Sequence, residues 1–237
     1  DLKTKNYFSG PKSELPEESG GWCDYMVELE FFKSMPEGIR KDAWFLTKVT
    51  MTGQERNPET GRYPLLNWDD PATNQKHPYW KKNIESSDWV FNYDDGYYET
   101  KGISSASGKT RMIFRYADIL LLYAEAVAYG TKSIDDLAFD CMWRVQERAG
   151  VPLISKDVTK EYFQKAVLDE RRWETAGMEH SCMGRFFTMQ RHEILHLQKN
   201  YRDAAELSLN PNLTLSEEFY YFPIPDNELL IVPGLKD

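Results

Sequence analysis

The chain has 237 residues, and its 29 Lys+Arg against 38 Asp+Glu give a formal charge of −9 with His neutral. That length fits one to two domains with a real core, and 41% hydrophobic with 28% charged residues is a globular composition. The acidic balance speaks against nucleic acid, whose phosphates need a basic face, and no run of about 18 apolar residues reads as a membrane-spanning helix.

The chain opens Asp1-Leu2-Lys3-Thr4-Lys5-Asn6, with neither an initiator Met nor a charged-then-apolar signal peptide. It reads as processed, trimmed, or beginning partway through a longer protein. Cys23, Cys141 and Cys182 form no CxxC pair and no disulfide framework, and an odd count leaves at least one unpaired unless a partner chain supplies its mate. Aromatic residues are abundant, with 7 Trp, 14 Tyr and 12 Phe, and they must occupy a core, an interface or a stacking surface.

Composition changes near residue 110. The first 110 residues hold 16 of the 26 Gly+Pro and five of the seven Trp. Turn signals crowd this part at Ser19-Gly20-Gly21, Asn57-Pro58-Glu59-Thr60-Gly61, Asp70-Pro71, Asp95-Gly96 and Ser107-Gly108. One short helix is expected around Tyr25–Ser34, and short strands at Trp44–Thr50 and Trp89–Tyr93. Residues 1–109 therefore read as ordered, loop-rich structure, because so many large rings are costly to leave in water.

Residues 110–200 read as helix. The first helix is expected from about Thr110 to Tyr129, where Ile113, Tyr116, Ala117, Leu120, Leu121, Ala124 and Val127 form one stripe and Gly130 supplies the stop. The second is expected after Ser133 as N-cap, with Asp135 and Asp136 in its first turn. It carries Leu137, Cys141 and Val145 inward and ends at Gly150 before Pro152. The third begins at Thr159 and runs to about Thr175, and the fourth covers Gly184–Asn200. Short connections make consecutive helices antiparallel, the unit of tetratricopeptide-like stacks. The tail Phe219–Pro225 is expected to be extended, since Pro223 and Pro225 rule out a helix there. The expected fold class is thus mainly α: helix pairs over residues 110–237 beside a loop-rich part with few short strands.

Several words of this helical part resemble those of the SusD/RagB family. Arg115-Tyr116-Ala117-Asp118-Ile119-Leu120-Leu121-Leu122-Tyr123-Ala124-Glu125-Ala126 is similar to its signature helix, and Arg148-Ala149-Gly150 to the close of its "R-x-R-A-G" helix end. Asp169-Glu170-Arg171-Arg172-Trp173-Glu174 resembles its "ERRxE" helix, Arg185-Phe186-Phe187 its "RWFDL" word, and Tyr221-Phe222-Pro223-Ile224-Pro225 with Pro233-Gly234-Leu235-Lys236 its closing word. Upstream, Gly38-Ile39-Arg40 resembles a piece that precedes the signature helix. Gln146 departs from a usual Arg and Thr188 from a usual Asp, and Thr175–Gly184 is longer than the family's usual link. Family members are about twice this long, so the resemblance is to their C-terminal part.

The resemblance implies a surface-exposed lipoprotein of the outer membrane, held there by a lipid anchor on an N-terminal part with no counterpart in this sequence. It implies a non-catalytic protein without cofactor that captures an oligosaccharide and delivers it to a SusC-like TonB-dependent transporter. A peptide- or protein-binding module docked on that transporter is the alternative.

The candidate ligand-facing residues are Trp22, Trp44, Trp68, Tyr79, Trp80 and Trp89. Sugars gain little from ordinary burial, so their recognition combines flat aromatic faces with polar neighbours. Leu66-Asn67-Trp68-Asp69-Asp70 and Tyr79-Trp80-Lys81-Lys82-Asn83 mix those chemistries within one stretch. The bland alternative is that a part poor in aliphatics uses the same rings as its core. The acids and arginines of Glu170–Glu174, with Arg171–Glu174 and Asp169–Arg172 three apart, read as an internal salt-bridge network, as do Arg115 and Asp118.

His192-Glu193-Ile194-Leu195-His196 matches the zinc-protease pattern H-E-x-x-H, which on a helix puts both imidazoles on one face with Glu193 as base. Lys199 stands where the extended motif has Gly, no third His follows, and Glu217 or Glu218 are the candidates for a third ligand. Zinc catalysis is therefore the remote alternative. Asp94-Asp95-Gly96 lacks the alternating acids of a calcium loop, and no phosphate-binding Gly-rich loop or Gly-x-Ser-x-Gly elbow occurs.

Overall fold

The computed structural model describes residues 27–50, 55, 57–59, 61, 64–72, 76–81, 89–92, 97–100, 114–177, 185–197, 202–209, 224–232 and 234. Three helices form its centre: α3 (Tyr116–Tyr129), α4 (Asp136–Ala149) and α5 (Lys160–Thr175). Contacts along their lengths run in opposite directions. Arg144 donates to the Tyr116 hydroxyl at one end of the α3–α4 pair, and Tyr123 donates to Asp135 at the other. Likewise Arg115 reaches Glu174, while Gln164 donates to the Ala128 carbonyl and Lys160 to that of Gly130. Both pairs are antiparallel.

Local chemistry sets the ends of these helices. The Asp118 carboxylate accepts the Arg115 backbone N–H at 2.9 Å, satisfying a donor at the start of α3. Asp135 caps α4 by accepting from Ala138 N at 2.8 Å, and Thr159 caps α5 by accepting from Tyr162 N. Gly150 ends α4 in the left-handed region at φ 70°, which spares it the clash a side chain would meet there. Ala117, Leu121, Ala124 and Ala128 line the buried face of α3. The small size of the three alanines admits Phe139, Met142 and Val145 from α4 and Phe163 and Val167 from α5 into one core, where the Phe139 and Phe163 rings meet edge to face at 4.8 Å.

Several expectations need correction here. Residues 114–115 precede α3 in non-helical form, and 110–113 lie outside the described residues. The α4 cap is Asp135 rather than Ser133, because its carboxylate reaches the third backbone N–H beyond it. Leu137 is exposed rather than inward, and so is Tyr116, which lies on the outer side of the α3–α4 seam beside Arg144. The predicted fourth helix is only α6 (Arg185–Arg191), followed by a turn at His192–Glu193 and one short helical turn at 195–197.

The loop-rich part begins with α1 (Leu29–Ser34) and α2 (Ile39–Trp44), then β1 (Phe45–Leu46) and β2 (Lys48–Thr50). β3 (Leu65–Asn67) pairs antiparallel with β2, and β4 (Tyr79–Trp80) with β1, placing Phe45 opposite Trp80. β5 (Trp89–Asn92) and β6 (Tyr97–Thr100) form a separate antiparallel pair. The expected strand at Trp44–Thr50 thus divides in two, with Trp44 ending a helix instead. Two further short helices, α7 (Ala204–Leu209) and α8 (Asp226–Ile231), follow α6. Of the predicted extended tail only Ile224 and Pro225 are described, and they lead into α8. Cys141 is a buried free thiol; Cys23 and Cys182 lie outside the described residues.

Candidate ligand-binding surface

The strip Ile39–Thr50 carries or holds three of the candidate rings. Trp44 is the last residue of α2, and Phe45 beside it pairs with Trp80 across β1–β4, their rings 5.1 Å apart. Trp68 follows β3 and donates its backbone N–H to the Thr47 carbonyl at 2.9 Å. Its ring meets Phe32 of α1 edge to face at 5.7 Å, and Phe32 in turn meets Phe45 at 5.1 Å. Each of the three tryptophans is half-buried. Each ring is therefore partly packed and partly open to solvent.

Val27, Phe31, Met35 and Phe45 form the buried centre beneath this layer, and Ala176 at the end of α5 belongs to it. Tyr79 is only 2% exposed and belongs to the interior. Its burial withdraws it from the ligand-facing set, because a ring enclosed on all sides has no face to offer. Trp22 lies outside the described residues. Trp89 stands opposite Thr100 in β5–β6, and its side chain is outside the description.

Polar groups flank Trp68 as its sequence neighbours suggest. Asn67 and Asp69 are exposed, and Asp70 accepts from Ala72 N at 2.8 Å, closing a side-chain turn. Lys76, in the left-handed region at φ 57°, donates to the carbonyls of Asp70 and Pro71 and draws the loop together. The segment beside Trp68 is thereby a shaped loop.

Beneath the aromatic layer lies a buried junction of charges. Glu174 accepts from Arg115 at 2.6 Å and Arg148 at 2.5 Å through one oxygen, and from Arg40 at 3.1 Å through the other. Arg40 also pairs with Glu170, which Gln146 approaches at 3.5 Å. Burial alone would raise the Glu174 carboxyl, but the Arg115, Arg148 and Arg40 guanidinium groups outweigh it and hold it below the usual range. Glu170 goes the other way: burial raises it, and its single arginine offsets only part of that. A second junction joins Glu125 of α3 to Arg171 at 2.7 Å, Arg191 at 2.6 Å and His192 at 2.8 Å. Burial raises Glu125, and Arg171, His192 and Arg191 more than compensate, so it too titrates low.

These junctions revise the expected network within α5. Asp169 and Arg172 do pair at 3.3 Å, and Arg115 with Asp118 at 2.6 Å. Arg171 and Glu174, however, bind partners on other helices, because they sit on faces that meet different neighbours. Arg40, Glu125, Arg148 and Arg191 were not singled out as functional by spacing, since their partners are distant in sequence.

The H-E-x-x-H residues do not share one helical face. Glu193 has φ 54°, which breaks the helix between the two histidines, and the His192 ring is engaged by Glu125 and by Tyr129 at 4.2 Å between centroids. Among the described residues no group of three or more His, Cys, Asp or Glu is gathered to hold a metal. No helix among them is long and apolar enough to cross a membrane.

Four of the words that carry the family resemblance meet at the first junction: Gly38-Ile39-Arg40, Arg115 with Asp118, Arg148-Ala149-Gly150 and Glu170 with Glu174. The family model described as the SusD family matches residues 3–237. The chain belongs to the SusD family. Its fold is that of SusD-like structures: a SusD homolog from Bacteroides thetaiotaomicron superposes with TM-score 0.69 at 18% identity, covering 96% of this chain and 46% of that one. A SusD superfamily protein from Parabacteroides distasonis gives 0.61 at 16% identity, over 98% and 45%. Surface glycan-binding protein A from Bacteroides uniformis gives 0.58 at 19% identity, again over 98% and 45%. The chain therefore spans about half the length of these SusD-like structures. No curated protein matches it.

Proposed function

We propose that this SusD-family chain is part of a non-catalytic glycan-binding protein of the outer-membrane surface, passing oligosaccharide to a SusC-like TonB-dependent transporter. Residues 1–109 act as the ligand-facing part and 110–237 as the frame. The observation that carries this reading is the placement of Trp44, Trp68 and Trp80, three half-buried rings attached to one strip, within a SusD fold. Surface glycan-binding protein A among the similar structures supports the glycan as ligand class. Binding is modest in strength, because each stacked ring contributes little against the hydration the sugar gives up.

Affinity electrophoresis against amylopectin, xyloglucan, laminarin and arabinan tests it. Retardation by at least one polysaccharide, weakened in Trp44→Ala and Trp80→Ala, is expected. Unchanged mobility in all of them refutes the glycan reading for this chain.

A second reading has its own observation. Phe114, Tyr116, Ile119 and Tyr123 are exposed at the start and along the outer side of α3, a surface suited to docking a protein partner with peptide as cargo. Pull-down of the transporter that is weakened by Tyr116→Ala, together with peptide rather than glycan binding, would favour it.

A further inference from the structure

We propose that Arg40 is a positioning residue for the aromatic surface: it fastens the strip bearing the three tryptophans to the buried carboxylates of α5. The role of those rings rests on the glycan-binding reading above; the fastening itself does not.

Two of the contacts between α2 and the helical frame fix its placement. The first is steric. A Cβ on Gly38 would stand 2.7 Å from the Ala149 carbonyl oxygen and 2.8 Å from that of Gly150, so only glycine lets the start of α2 come this close to the end of α4. One close approach sets a distance but leaves the direction of the helix open. Arg40, two residues later and 5% exposed, supplies the second point through Glu170 and Glu174. Two points on a rigid segment set its direction. Trp44 then lies one turn after Arg40 on the same side of α2. Phe45 passes that direction to Trp80 through the β1–β4 pair, and Thr47 passes it to Trp68 through a backbone hydrogen bond.

The chemistry of the site marks position rather than stability as the contribution of Arg40. Its Nε and Nη2 are buried and, among the described residues, have no hydrogen-bond partner. A guanidinium with unanswered donors is a costly way to fill space, and well-packed apolar side chains often replace buried ion pairs without loss. What an apolar side chain lacks is a grip on two carboxylates at once, which Arg40 makes through the single Nη1. Lysine, with a compact ammonium on a shorter stem, retains part of that grip.

The test compares wild type with Arg40→Met, Arg40→Lys and the double variant Arg40→Met/Glu170→Gln, which leaves no stranded carboxylate at Glu170. Thermal melting identifies which variants are folded at the assay temperature. Hydrogen exchange over residues 39–50 and 65–68 reads the strip, with 117–128 as internal reference. Titration with the best-bound of the four polysaccharides reads the surface.

In the folded variants, exchange of the strip is expected to rise while that of 117–128 stays as in wild type. Polysaccharide affinity is expected to fall about tenfold in Arg40→Met and in the double variant, and less in Arg40→Lys. A loss spread equally over both regions would make Arg40 merely structural and overturn the proposal. So would unchanged exchange and affinity in a folded Arg40→Met or double variant. If wild type binds none of the polysaccharides, the glycan reading fails alone. The exchange comparison then decides the fastening by itself: selective loss of protection supports it, and retained protection overturns it.

Discussion

The aromatic layer and the helical frame are held together by different means. In the frame, α3, α4 and α5 each bury a continuous stripe, and capping residues set where α4 and α5 begin. The aromatic layer has strands of only two to four residues, and its buried centre is completed by Ala176 of the frame. Charge joins the two parts, through Arg40 on one side and Glu170 and Glu174 on the other. A frame with its own core can be read locally; a layer that borrows its core from the frame cannot.

Acid should separate the two regions most strongly. Glu174 and Glu125 both have carboxyls lowered by folding, so the stability they contribute is present above the unfolded carboxylate value and lost as pH falls through the folded one. Glu170 has the opposite sign: its raised carboxyl weakens the fold at neutral pH and gains as it is protonated. Melting temperature followed by circular dichroism should therefore hold or rise slightly as Glu170 takes its proton. It should then drop steeply below about pH 4, under the ordinary carboxylate range. A flat profile through that region would contradict the junctions.

Glu174→Ala comes next in size. It removes the buried carboxylate shared by Arg40, Arg115 and Arg148, leaving Arg40 to Glu170 and Arg115 to Asp118, and urea unfolding should show a loss of about 3 kcal/mol. Gly38→Ala probes the contact between the regions without touching charge. The added methyl must push α2 away from two carbonyl oxygens, and a loss of about 1–3 kcal/mol is expected in the same measurement. Smallest is Asp135→Ala, confined to the frame, where removal of one helix cap should cost about 1 kcal/mol and leave the tryptophan emission spectrum unchanged.

Much of the frame was legible because its signals are local. Thr159 and Gly150 sit within a few residues of the ends they specify, and the alanines and leucines of α3 repeat at helical spacing. The misreadings have non-local causes. α6 ends where Glu193 turns left-handed, and the His192 ring beside it meets Glu125, 67 residues away. Arg171 and Glu174, three apart on α5, serve two separate junctions because they face different helices. In the aromatic layer, Trp44, Trp68 and Trp80 are half-buried, whereas Tyr79 shares the composition of their surroundings yet lies inside. No spacing rule separates these cases in a two-residue strand.

The most direct measurement is isothermal titration of the best-bound polysaccharide into wild type, Trp68→Ala and Tyr123→Ala, one ring from each region. A ligand face on the aromatic layer predicts a loss of about tenfold or more in affinity for Trp68→Ala and wild-type binding for Tyr123→Ala. Wild-type binding by Trp68→Ala together with loss in Tyr123→Ala would contradict the account and place the ligand on the helical frame.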